Sequence, residues 1–126
     1  MENGKNGNSK NGKKIVVDTA LLLHYLTDDK PQKARVFDDY IDSAQRGEIK
    51  IFIPSIVIAE LVWILESYYH QSADKISEII EAILNTPGID VSEKEVISSA
   101  LRLYRTKNID LVDAWVFGFA VEQKHI

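Results

Sequence analysis

Three acids stand in apolar company and invite a chemical explanation. In "KIVVDTALLLHYLTDD" (residues 14–29) the run Ile15 to Val17 ends in Asp18, and apolar residues resume almost at once. In "PSIVIAELVWILESYYH" (54–70) Glu60 falls in the second turn of an expected helix, with Ile56, Val57, Trp63 and Ile64 three and four positions away. In "NIDLVDAWVFGFAVEQ" (108–123) Asp113 falls in the first turn of a last helix. A carboxylate buried without a partner costs free energy, so each acid is either a helix cap or a ligand for something cationic.

Taken singly, the alternatives stay open. Asp18 suits the cap of a helix starting near Ala20, with Thr19 competing for that role. Glu60 lies too deep in its helix to be a cap; it is either a partly buried carboxylate waiting for a cation or a residue at the edge of an apolar face. Asp113 offsets the positive end of its helix dipole, yet Val112, Ala114, Trp115, Val116 and Phe117 argue against a wholly solvent-facing position. Asp110 reads as the N-cap of that same helix. Together, one acid after a first strand and two near the starts of later helices can converge on one rim, where a divalent metal relieves their repulsion.

Other chemistries find little support. The chain has no cysteine, which excludes thiolate chemistry and disulfides and is compatible with a reducing cytoplasm, the expected location. His24, His70 and His125 lack ligand spacing, so a zinc site is not expected. No Ser-His-Asp set or glycine-rich phosphate loop can be read. The formal net charge of -4 argues against holding nucleic acid by basic surface alone. It leaves open a site where acids hold cations and the cations meet phosphate.

Positioning such acids requires a sheet. At 126 residues the chain fits one domain with a genuine core. Residues 1–13 mix Asn, Gly, Ser and Lys and read as a flexible, solvated tail without the apolar middle of a secretory signal. From residue 14 on, the triplets "IVV" (15–17), "IFI" (51–53) and "IDV" (89–91) read as strands, the first two in the manner of strands covered on both faces. Helical stripes lie between them: Phe37, Tyr40, Ile41 and Ala44 after Pro31; Ile76, Ile79, Ile80, Ile83 and Leu84 between Ser72 and Pro87; and Val96, Ala100, Leu101 and Tyr104 behind a Ser92–Glu95 capping box. Ser55 is the expected cap of the helix that carries Glu60. Long crossovers imply parallel pairing, hence a three-layer α/β/α domain over residues 14–126. Ligands in such sheets bind beyond the carboxyl ends of the strands, near a reversal of strand order, and Asp18 sits at one such end. Pro54 and Glu60 interrupt the longest apolar run, so no membrane span is expected.

At this point "VVDTALLLHYLTDD", "IPSIVIAELVWILE" and "IDLVDAWVFGFAVE", in that order, resemble the three acidic motifs of PIN-domain ribonucleases, especially the VapC-type toxins of toxin–antitoxin pairs. The resemblance runs from about Lys14 to the end. By position it implies that Asp18, Glu60 and Asp113 are the catalytic, metal-binding acids, supported by Thr19, with Asp110 the nearest residue to supply further charge. It implies Mg²⁺ or Mn²⁺, hydrolysis of RNA that leaves a 5′-phosphate, a homodimer, and silencing by a small antitoxin. Trp63 and Trp115 are expected in the core or a dimer contact.

Two departures qualify the match. Ala20 stands where the family often has Asn, Ser or Thr, and the chain stops at Ile126, without the family's further strand and fourth acid. A catalytically impaired module that only binds a partner is therefore the alternative. A receiver-like signalling domain ranks below both, because no phosphate-accepting Asp ends a central strand; Asp90 lies inside its strand.

Overall fold

The computed structural model describes residues 13–27 and 30–123; residues 1–12 of the expected tail and His125 lie outside them, and Lys13 opens the first strand. The elements in order are β1 (Lys13–Val16), α1 (Thr19–Thr27), α2 (Pro31–Gln45), β2 (Ile49–Ile53), α3 (Ser55–Ser67), α4 (Ala73–Leu84), β3 (Ile89–Val91), α5 (Lys94–Lys107) and α6 (Leu111–Gln123). The strands form a parallel sheet in the order β1-β2-β3, with Lys13 to Val16 beside Ile49 to Phe52 and Ile51 to Ile53 beside Ile89 to Val91. Each parallel pair needs a long crossover, and the helices supply it, giving the expected α/β/α arrangement.

The helical stripes read from periodicity pack as expected. Phe37 and Ala44 of α2, Ile76, Ile80, Ile83 and Leu84 of α4, and Val96, Ala100, Leu101 and Tyr104 of α5 are buried. Ile51 and Ile53 of β2 and Ile58 and Leu61 of α3 are wholly inaccessible and form the centre of the core. Burying each such side chain contributes about 1.5–3 kcal/mol. Ser72 caps α4 by accepting a hydrogen bond from the Lys75 amide at 3.1 Å, and Pro31 opens α2. Gly88, at φ +93, leads into β3 so close to α2 that a Cβ there would lie 2.8 Å from Ala44 Cβ. Only glycine serves that turn.

Four expectations need correction. β1 is not covered on both faces: it is an edge strand among the described residues, and Val16 is 61% exposed. Strand order does not reverse among the described strands, so a switch point cannot locate the site; the shared rim of carboxyl ends can. The Ser92–Glu95 capping box does not form. Glu93, in the left-handed region, precedes α5, while the Ser92 hydroxyl accepts from the Ser55 amide at 2.7 Å. Ser55 likewise is not a side-chain cap; Pro54 holds the N-cap position of α3. Both changes have one cause. β3 lies beside β2, so Ser92 reaches the open end of α3, and its own amide binds Ile53 O at 3.2 Å.

Candidate metal centre

Parallel strands bring their carboxyl ends to a single rim, and two of the three acids stand there. The Val17 amide continues the β1–β2 ladder by donating to Phe52 O at 3.0 Å. Asp18 follows and turns the chain into α1: its Oδ1 accepts from the Leu21 amide at 3.0 Å. Asp18 is thus the cap, and Thr19 is freed for another task. Buried at the first position of α1, Thr19 donates from Oγ1 to Glu60 Oε1 at 2.5 Å. A hydroxyl that locally competes with Asp18 for the helix cap instead ties α1 to α3.

Glu60 reaches the rim because α3 begins one residue after β2 and carries Glu60 in its second turn. Contrary to expectation, its side chain is exposed rather than partly buried. Two of its four apolar neighbours are exposed themselves, Ile56 at 75% and Trp63 at 64%, while Val57 and Ile64 are half-buried. Trp63 is accordingly outside the core, and Trp115 is half-buried against it.

Asp113 has a different setting. α5 leaves the rim after β3, and α6 returns alongside it, with Gly118 so close to α5 that a Cβ would lie 3.0 Å from Val96 O. Asp113 precedes Gly118 by five residues, about 7.5 Å of helix, toward the far end of α5. It is exposed, as are Val112, Val116 and Phe117 around it, so the expected shielding by apolar neighbours does not occur. Among the described residues no three His, Cys, Asp or Glu side chains group closely enough to hold a metal ion. The Thr19–Glu60 hydrogen bond joins the start of α1, where Asp18 stands, to α3, and it does not involve Asp113.

Asp110 caps α6 through Oδ2, which accepts from the Val112 amide at 3.2 Å. It lines an apolar groove of about 270 Å³ between α3 and α6 together with Glu66, and not the rim at Asp18. There a further polar pair occurs that sequence reading did not find. The hydroxyl of Tyr104, a buried residue of α5, donates to the Glu66 carboxylate. Burial pushes the Tyr104 hydroxyl pKa well up, assisted by the hydrogen bond and charge of Glu66 and then by Asp110. Periodicity marked Tyr104 as core, but no local signal pairs it with a residue 38 positions earlier.

The rim residues suit a hard cation. Asp18 Oδ2 and Glu60 Oε2 accept no hydrogen bond from a described residue, and the ion pairs among the described residues, Arg46–Glu48, Arg105–Asp74 and Arg105–Glu81, use neither acid. Mg²⁺ takes oxygen ligands, keeps several waters and commonly binds through one or two carboxylates plus substrate phosphate. The donor set at Asp18 and Glu60 fits that preference.

Comparison with known proteins agrees with this geometry. Residues 15–125 match the PIN domain family. The chain is also similar to a VapC ribonuclease of Aquifex aeolicus (strain VF5), with 33% identity over 98 residues, covering 78% of this chain and 72% of that relative. No helix among the described residues is long and apolar enough to cross a membrane. With the motifs, the sheet and these matches in agreement, the chain belongs to the PIN-domain family, in its VapC-type branch.

Proposed function

We propose that this chain is a metal-dependent endoribonuclease, the toxin component of a toxin–antitoxin pair. The observation that carries this reading is the Thr19–Glu60 link beside Asp18, in a PIN-family chain whose relative is named a ribonuclease. Asp18 and Glu60 would hold Mg²⁺ or Mn²⁺, with Asp113 the third acid of the set on the family's pattern. When bound, such an ion supplies a water of lowered pKa and neutralises charge that builds on the phosphate. The chain's own part is orientation. The Leu21 amide fixes one oxygen of Asp18 and the Thr19 hydroxyl one of Glu60, and the second oxygens face no competing donor among the described residues. No side chain has to become a nucleophile, in keeping with the lack of cysteine.

The partners in this reading are RNA, a small antitoxin and a second copy of the chain, acting in the cytoplasm. The exposed apolar side chains Ile56, Trp63, Val112, Val116 and Phe117 on α3 and α6 support a protein partner, because extended apolar patches mark interaction surfaces. The second reading is an inert PIN-like module that binds a partner without cleaving RNA. It is favoured by the lack, among the described residues, of three His, Cys, Asp or Glu side chains grouped closely enough to hold a metal ion.

The test incubates purified protein with structured and unstructured RNA, with Mg²⁺, with Mn²⁺, with chelator, and as Asp18→Asn. Cleavage that requires both metal and Asp18 is the expected result. Metal binding without cleavage selects the inert module, and the absence of both overturns the metal-centre reading.

A further inference from the structure

Beside Asp18 a second cleft opens, of about 350 Å³, between α1, α2 and the free edge of β1. Its α2 wall is a stripe of Lys33, Val36 and Tyr40, spaced three and four residues apart so that they share one helical face. Asp18 and His24 line the α1 side, and Val16 contributes the exposed edge of β1. α1 and α2 are joined by three residues, 28–30, and the Tyr25 ring packs edge-on against Phe37 at 4.8 Å between centroids. That contact and the short connection make the helices antiparallel. Tyr40 therefore lies toward the Asp18 end, and Lys33 toward His24, about 10.5 Å of helix further along.

We propose that this cleft is a subsite for single-stranded RNA, in which Lys33 binds a phosphate next to the scissile one and Tyr40 stacks on the intervening base. The inference rests on the ribonuclease reading above and adds to it the path of the strand. A chain of net charge -4 that presents carboxylates at its site must recruit phosphate with local cations. Lys33 is exposed at the cleft and forms no ion pair with a described residue. The half-buried ring of Tyr40, with the exposed apolar side chains of Val16 and Val36, offers the face on which an unpaired base stacks. A base held in a duplex cannot reach such a surface, so the cleft selects unpaired RNA.

The test measures steady-state cleavage of a single-stranded oligoribonucleotide with Mg²⁺ across a salt series, for wild type, Lys33→Ala, Lys33→Glu, Tyr40→Leu and the control Lys75→Glu on α4. Lys33→Glu should raise KM about tenfold at low salt with kcat within about twofold, as expected for a residue that contacts phosphate alone. Lys33→Ala should lower the slope of log KM against log salt by about 0.7, one single-strand phosphate contact. Tyr40→Leu should raise KM for single strands, and Lys75→Glu should match wild type. Fluorescence anisotropy of the same oligonucleotide on Asp18→Asn protein, with and without Lys33→Glu, reads binding in the absence of turnover and should weaken in parallel. If wild type cleaves while the Lys33 variants keep its KM and salt slope, or lose kcat alone, this subsite is overturned and the ribonuclease reading stands. If wild type neither cleaves nor binds RNA, both fall together.

Discussion

Two glutamates on α3 are each held by a hydroxyl from another helix, and the contrast between them is instructive. Thr19 donates to Glu60 at the rim; Tyr104 donates to Glu66 at the opposite end of the helix. The pairwise chemistry is the same. What differs is the surroundings: Glu60 is exposed beside Asp18 at the carboxyl ends of the strands, whereas Glu66 is half-buried in a groove walled by Trp63, Trp115 and Phe119. The first arrangement leaves carboxylate oxygens available to an ion, and the second spends its carboxylate on joining α3 to α5. A hydroxyl–carboxylate pair becomes a candidate site or a strut according to what else reaches it.

The largest expected effect separates these two ends. Asp18→Asn and Glu60→Gln should each lower metal-dependent RNA cleavage on the order of 10²–10³-fold, the loss typical of removing a group that stabilises the developing charge. Because Asn caps a helix as well as Asp, the thermal midpoint of Asp18→Asn should stay near wild type. Cleavage unchanged in either variant would break the contrast at once. Thr19→Val should then cost about 10–100-fold in activity, the range for residues that orient metal ligands, while Asp113→Asn tests whether α6 contributes the third acid. An Asp113 variant as impaired as Asp18→Asn makes Asp113 the third acid of the set, and an unimpaired one removes it.

The strut should answer in stability instead. Tyr104→Phe leaves the Glu66 carboxylate without its donor and should destabilise the fold by about 1–3 kcal/mol by urea unfolding, with cleavage per folded molecule unchanged. Its alkaline behaviour sharpens the point. The folded chain holds the Tyr104 proton to higher pH than the unfolded chain does, so the contribution is whole below about pH 10 and is lost as pH rises through the folded pKa. The urea midpoint of wild type should therefore fall more steeply above pH 10 than that of Tyr104→Phe, with pH 8 as reference; equal slopes would remove Tyr104 from the account. The smallest effect is expected at Trp63, which is 64% exposed: Trp63→Ser should change monomer stability by about 0.5 kcal/mol or less, while sedimentation reports any loss of self-association.

Much of the fold was legible because its signals are local. Spacing of Phe37 and Ala44, of Ile76, Ile80 and Ile83, and of Val96, Ala100 and Leu101 marked which faces of α2, α4 and α5 are buried. The β-branched triplets marked the strands, and order and separation of three acidic motifs pointed to the family. Those readings need only the period of a helix or strand. By contrast, α3 and α6 are apolar nearly all round, so period says little about which face turns inward. Apolar neighbours suggest partial shielding of Glu60 and Asp113, yet Ile56, Trp63, Val112 and Val116 lie on the outside.

The sequence by itself determined the elements, their order and the residue types able to hold a hard cation. Tertiary structure alone decided that Thr19 serves Glu60 and not its own helix, that Ser92 serves α3 and not α5, and that Asp110 sits with Glu66. The physical reason is that a hydroxyl or carboxylate bonds to whichever donor or acceptor the packed chain brings within about 3 Å, and distance along the chain does not set that choice.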